Sequence, residues 1–222
     1  MESADRFVEV VQHPSPAVTL DVAVALIGAS FEQATADDDL VEAAVAGLDQ
    51  LATECEPTFE SVLRLFQHHL TGNSVDYGDP RNSYLHEVLH RGTGIPITLS
   101  VCAMEVGRRL GLVVNGVGLP GHFLVECDGV YADPFHLGRL ITADELEPAW
   151  QRMTGIRDRL DPRLLSPVPQ RGILLRMLNN LKNTFVAMDE PAPLRTLAKL
   201  RSAFPELAHE RAEYARWLRH WN

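Results

Sequence analysis

The chain has 222 residues, of which 45% are hydrophobic and 23% are charged, and its formal net charge is −10 at pH 7. This balance is typical of a globular protein with one large domain or two small ones. The negative charge disfavours a nucleic-acid partner, and no apolar run approaches the roughly 18 residues of a membrane span. Three widely spaced cysteines form neither a disulfide framework nor a metal knuckle. Together with an acidic, amphipathic N-terminus, they favour a cytoplasmic location.

Hydrophobic spacing divides the chain into three predicted regions. Apolar residues recur at helical spacing up to about residue 78, where a turn-rich segment marks a boundary. We therefore expect a helical N-terminal region over 1–78, a core over 79–143 and a helical, repeat-like C-terminal region over 144–222. Within the last region, 171–188, 192–203 and 206–220 are predicted as three helices.

The central region changes its hydrophobic period partway along. Pro96 suits the first turn of a helix that continues to Gly111. Proline has no backbone N–H, and in the first turn of a helix that group would have no hydrogen-bond partner within the helix. After it, residues 113–119, 123–127 and 130–132 have the pattern of strands, and Asp128-Gly129 predicts a hairpin turn. The predicted fold class is therefore α+β, with one helix against a small antiparallel sheet.

His122 begins one of these strands and Asp133 ends the next. On adjacent antiparallel strands the two can meet as a base and its orienting carboxylate, which are two members of a nucleophilic triad. The third member is absent from the start of the preceding helix, where Ile95, Pro96 and Ile97 stand. The pair then either works with an unexpected nucleophile or locks two strands together through a buried hydrogen bond.

Other side chains in the core are poor substitutes for that nucleophile. Cys102 lies six residues beyond the helix start, about 240° around the helix axis, among apolar neighbours. Cys127 is five residues from His122 and faces the other side of a regular strand. Thr98 and Ser100 lie closer to the helix start, but a hydroxyl needs stronger activation than a thiol. We expect structural roles for both cysteines.

The segments around these motifs resemble a known family. They are NSYLHEVLHRGTGIPITLSVCAMEVGRRLGLVVNGVGLPGHFLVECDG (82–129), YADPFHLGRLIT (131–142) and LLRMLNNLKNTFV (174–186), and they resemble the SirB family of bacterial transglutaminase-like proteins. The resemblance implies a transglutaminase-like (papain-like) core flanked by helical segments. It also implies that members of the group commonly lack the nucleophilic cysteine, as this chain does.

A second motif, His86-Glu87-Val88-Leu89-His90, fits the zincin pattern H-E-x-x-H. Two histidines one helical turn apart would bind zinc, and Glu87 would act as a general base. No third ligand stands at an expected spacing, since Thr93 and Pro96 occupy the positions that the Met-turn class requires. We expect His86, Glu87 and His90 on a solvated helix face, and no metal or other cofactor.

Three functional hypotheses follow. The first is a non-catalytic transglutaminase-like protein that binds another protein in a regulatory role. The second is a cryptic acyl-transfer or hydrolytic enzyme that uses His122 and Asp133. The third is a zinc hydrolase built on His86, Glu87 and His90. We prefer the first, because no nucleophile is found near Pro96.

Overall fold

The computed structural model describes residues 2–13, 15, 18–32, 37–188 and 191–210, which form a mixed helix-and-sheet fold consistent with α+β. The helices are α1 (Ser3–Gln12), α2 (Leu20–Ala29), α3 (Asp37–Thr53), α4 (Phe59–His68), α5 (Leu85–Arg91), α6 (Pro96–Arg109), α7 (Leu146–Thr154), α8 (Gln170–Met188) and α9 (Pro191–Arg201). The strands are β1 (Thr71–Gly72), β2 (Thr93–Gly94), β3 (Asn115–Leu119), β4 (His122–Cys127), β5 (Val130–Asp133) and β6 (Arg139–Ile141). The helix predicted over 206–220 falls mostly outside the described residues, and its start is a 3-10 helix, Pro205–Glu210.

Helix α6 follows the local chemistry of its two ends. Pro96 occupies its first turn after the extended N-cap residue Ile95. The helix ends at Arg109, and Gly111 then adopts a positive φ of 77°, which ends helical geometry at little cost. Helix α6 packs against β4 on one side and against α2 and α3 on the other, so it connects the sheet to the helical layer.

Strands β3 to β6 form an antiparallel meander in chain order. The β3–β4 connection is Pro120-Gly121, and the β4–β5 connection is Asp128-Gly129, with φ of +50° and +82°. Two positive φ values in a two-residue loop suit the right-handed twist of the flanking strands. The predicted hairpin is thus confirmed, whereas β6 and the small parallel pair of β1 with β2 were not predicted.

The two faces of the meander pack into two apolar clusters. The face with Phe123, Val125 and Cys127 joins a large core that extends from α1 to Phe204. The opposite face packs on α7, whose Trp150 indole donates a hydrogen bond to the backbone of the β3–β4 hairpin. The large core takes residues from all three predicted regions, and the boundaries at 78 and 143 stay a prediction. Within the described ranges, no helix is both long and apolar enough to cross a membrane.

Candidate functional site

The strand register places His122 and Asp133 on one face of the sheet. Val125 pairs with Ala132, so Asp133 lies opposite Leu124, two residues along β4 from His122. Side chains two residues apart on a strand share a face, and diagonal neighbours are within reach of long side chains. The structure brings the two sequence-predicted residues together at this end of the meander.

His122 and Asp133 form a buried hydrogen bond. Nε2 of His122 lies 2.8 Å from Oδ2 of Asp133, and the two side chains are only 6% and 1% exposed. A third residue joins them, because Nδ1 of His136 lies 2.7 Å from the same carboxylate oxygen. We call His122, Asp133 and His136 the histidine–aspartate cluster. His136 is half-exposed, so the cluster is open to solvent on one side.

The backbone fixes the orientation of the Asp133 carboxylate. Asp133 is the N-cap of a 3-10 helix, Pro134–His136, and its Oδ1 accepts hydrogen bonds from the backbone N–H groups of Phe135 and His136. Such side-chain caps are the usual role of aspartate before proline in a tight turn. Because Oδ1 is held by the backbone, Oδ2 is directed at the two imidazole rings.

The electrostatics of the cluster favour a charged carboxylate. Burial alone would raise the pKa of Asp133, but the hydrogen bonds from His122 and His136 outweigh it and lower the pKa to about 2. The hydrogen bond to Asp133 raises the pKa of His136 above its ordinary value, although burial opposes this. The site therefore combines a buried anion with an imidazole that titrates at the surface.

Aromatic rings and a partly buried arginine surround His122. The Phe135 ring meets the His122 ring edge-on, at 6.1 Å between centroids, and Tyr77 packs edge-on against Phe135. Arg176 of α8 donates hydrogen bonds to the carbonyls of Leu119 and His122, and its guanidinium lies 5.2 Å from the ring centroid of Phe123. Burial lowers the pKa of Arg176. Arg176 thus ties α8 to the hairpin that carries His122.

A cavity of about 340 Å³ opens beside the cluster, between α7 and the β5–β6 hairpin. Its lining residues are Asp133, His136, Arg139, Ile141, Ala149, Arg152 and Met153. Two of its side chains are exposed arginines, so the cavity is cationic. A small solute can therefore approach His136 and Asp133 from this side.

The thiols of Cys102 and Cys127 are poorly suited to act on a substrate beside the cluster. Cys102 is fully buried, and burial raises the pKa of its thiol to about 12. Cys127 lies on the β4 face opposite His122, and burial raises its pKa too. The hydroxyls of Thr98 and Ser100 are buried in α6 without a hydrogen-bond partner among the described residues. Pro96, which carries no nucleophilic group, stands at the first position of α6.

The zincin-like motif does not assemble in the structure. His86, Glu87 and His90 do not converge as three ligands in the described part of the chain, whereas His86 and Glu87 lie near Glu32. The expectation of a solvated face is correct for His90, which is exposed, and wrong for His86, whose side chain is only 9% exposed. Its ring is stacked on Tyr84 and covered by α2 at Gly28.

Sequence reasoning missed His136 and Arg176. A signal for His136 was present, because Asp-Pro-Phe-His places a histidine three residues after a capping aspartate, within reach of its carboxylate. For Arg176 there was only the weak signal of an arginine within an apolar helical stretch. Its contacts with β3 and β4 are 57 and 54 residues distant along the chain.

Comparison with known proteins identifies relatives of most of the chain. The family model described as transglutaminase-like superfamily matches residues 32–179. A UPF0162 protein of Xylella fastidiosa is 45% identical over 126 residues, which cover 54% of this chain and 45% of that protein. A UPF0162 protein of Pseudomonas aeruginosa is 32% identical over 168 residues, or 75% of this chain and 60% of the relative.

A mammalian protein matches about half of the chain. F-box only protein 21 of Mus musculus is 34% identical over 122 residues, which cover 50% of this chain and 18% of that protein. The matched region thus spans about half the length of the bacterial relatives and a smaller part of the mammalian one. No solved structure matches the chain.

Proposed function

The chain belongs to the transglutaminase-like superfamily, and we propose that it is a non-catalytic member that acts in the cytoplasm by binding another protein in a regulatory role. As part of the same proposal we assign it to the SirB group, with a papain-like core and repeat-like C-terminal helices. The three free cysteines support a reducing compartment.

One observation carries the non-catalytic part of the proposal. Acyl transfer by this fold requires a thiolate near the histidine, and residues Ile95 to Ile97 at the start of α6 provide no nucleophile. The buried thiol of Cys102, with its pKa raised to about 12, is neither ionised at neutral pH nor reachable by a substrate. The bond between His122 and Asp133 then serves to hold β4 against β5.

The free edge of the meander supports the binding part of the proposal. At the other edge, Val168 and Pro167 pair with β3, whereas no described strand pairs with the outer edge of β6. Leu137 and Leu140 are about half exposed there, and Val130 on β5 is 45% exposed. An unpaired strand edge with apolar side chains is a common docking place for an extended segment of another protein.

Thiol labelling tests the absence of a nucleophile. We expect Cys102 and Cys127 of the native protein to react with iodoacetamide more slowly than in the urea-unfolded protein at the same pH, because both are buried with raised pKa values. Mass spectrometry after a time course gives the rate for each cysteine. A native thiol that reacts faster than its unfolded control would instead support the cryptic acyl-transfer enzyme.

Site-specific photo-crosslinking tests the partner. A photoreactive amino acid at Leu140 should give a discrete protein adduct in cells, because the position lies on the free edge. The matched control is the same amino acid at Glu42, an exposed position of α3 away from the meander. The binding proposal fails if Leu140, Leu137 and Val130 all give no adduct beyond that control.

A further inference from the structure

We propose that the histidine–aspartate cluster binds one Zn²⁺ ion through Nε2 of His122, Oδ2 of Asp133 and Nδ1 of His136. These three atoms all lie within 4.8 Å of one another. The inference goes beyond the proposed function, because it requires neither a nucleophile nor a partner protein.

The spacing of the three atoms matches the needs of a small metal ion. Oδ2 of Asp133 is 2.8 Å from one ring nitrogen and 2.7 Å from the other. For metal–ligand bonds of about 2.1 Å, neighbouring ligand atoms are about 3.0 Å apart in octahedral and about 3.4 Å apart in tetrahedral geometry. Once the two ring nitrogens give up the protons that they share with the carboxylate, small side-chain displacements therefore replace two hydrogen bonds with three metal–ligand bonds.

The donor set selects the class of metal. Two imidazole nitrogens and one carboxylate oxygen are typical ligands of Zn²⁺ and other divalent first-row metals. Calcium and magnesium prefer sites made mostly of oxygen atoms, which the cluster does not offer. Three protein ligands would leave at least one coordination position for water or another small ligand.

The surroundings hold the ligands in place and leave a path for entry. Oδ1 of Asp133 is bound by two backbone N–H groups, so the carboxylate is already oriented before an ion arrives. His136 is half-exposed and borders the cavity of about 340 Å³, which leads from solvent to the cluster. Arg139 and Arg152 line that cavity; their charge opposes the approach of a free dication but favours an anionic group as the remaining ligand of the bound ion.

A second cluster of the described residues serves as an internal control. Glu32, His86 and Glu87 also lie within 4.8 Å of one another. This group has only one imidazole, and Nε2 of His86 is 4.0 Å from the Glu32 carboxylate, too far for a hydrogen bond. His86→Ala therefore removes a histidine from a competing acidic site without touching the histidine–aspartate cluster.

Calorimetric titration of the untagged, chelator-treated protein with ZnCl₂ tests the proposal. We expect one Zn²⁺ per chain, and His136→Ala should weaken binding by more than about 100-fold, since loss of a direct ligand should cost at least as much as loss of a supporting group. His86→Ala should bind as the unchanged protein does. His136 is half-exposed at the end of a turn, so its variant should fold, which far-UV circular dichroism checks.

Titration with Co²⁺ gives a second readout that does not depend on affinity alone. Bound Co²⁺ should produce a visible absorption band that His136→Ala removes and His86→Ala keeps. The proposal is overturned if the unchanged protein binds no stoichiometric Zn²⁺, or if His136→Ala binds it equally well. Loss of binding only in His86→Ala would assign the metal to the other cluster and would equally overturn it.

Discussion

Two buried aspartates, Asp21 on α2 and Asp133 at the end of β5, are each 1% exposed but have different partners. Asp21 lies 2.6 Å from the guanidinium of Arg109, which also contacts Asp49 and Glu105. With Arg108, these residues form what we call the arginine–carboxylate network. Among the described residues, the partners of Asp133 are imidazoles and backbone N–H groups.

The difference lies in whether the partners titrate. Burial would raise the pKa of Asp21, but hydrogen bonds from Thr19 and Arg109 lower it. An arginine stays protonated over the ordinary pH range, so the cation that joins α6 to α2 in this network, Arg109, does not titrate there. Of the partners of Asp133, His136 can lose its proton as the pH rises through its raised pKa, and under the zinc proposal the two imidazoles bind a metal ion instead. A buried carboxylate therefore stabilises the packing of α2 against α6 in one region, and in the other region its interactions depend on the pH.

The largest expected effect comes from removing Arg109 from the arginine–carboxylate network. Arg109→Met leaves the buried Asp21 without its closest cation and leaves Glu105 with Arg108 alone, and we expect the free energy of unfolding to fall by about 3–5 kcal/mol. Urea denaturation measures it. Arg108→Met is the matched control: Arg108 also pairs with Glu105, at 2.8 Å, but it is 48% exposed, so we expect its loss to cost about 1 kcal/mol or less. Equal losses for the two variants would contradict this picture of the network.

A smaller effect is expected at the other aspartate. Because the pKa of Asp133 is lowered from 3.8 to about 2, its stabilising contribution is present above about pH 4 and is lost as the pH falls through 2. Asp133→Asn should therefore cost about 2 kcal/mol at pH 6 in the presence of a chelator.

Urea denaturation of both proteins between pH 2 and pH 6 measures this loss. The difference in stability between them should shrink towards the acid end of that range, because protonation of Asp133 removes the same charge that the substitution removes. A difference that stays constant over the whole range would show that the carboxylate charge contributes nothing.

Elements with local signals were the ones that the sequence predicted well. The start of α6 at Pro96 and the hairpin at Asp128-Gly129 depend on backbone preferences of those residues alone. Strand β6 has three residues with one buried side chain, Ile141, so it shows no alternation to detect. It pairs with β5 only after a turn in which Leu137 and Gly138 both adopt positive φ.

The site was predictable to the extent that it lies on neighbouring strands. His122 and Asp133 meet because one short hairpin fixes their register. The expectation that His86 is solvated was wrong, because α2 covers its side chain. Gly28 of α2 lies so close to the His86 imidazole that a Cβ added at Gly28 would be 3.2 Å from the ring. No local pattern encodes a contact between segments so far apart along the chain.

The smallest expected effect is a pH-dependent loss of stability when His136 is replaced. The hydrogen bond to Asp133 raises the pKa of His136, so its contribution to stability is present below its ordinary value of 6.5 and is lost as the pH rises through the raised value. His136→Asn, with chelator present, should cost under about 1 kcal/mol at pH 6, because the side chain is half-exposed, and less at pH 9. Arg163→Met should have the same effect at both pH values, because its guanidinium does not titrate there and the pKa of its partner Asp161 is lowered by the hydrogen bond from Arg163. Urea denaturation of both variants at the two pH values measures these losses. If the loss of stability for His136→Asn does not change with pH, protonation of His136 beside Asp133 does not stabilise the fold.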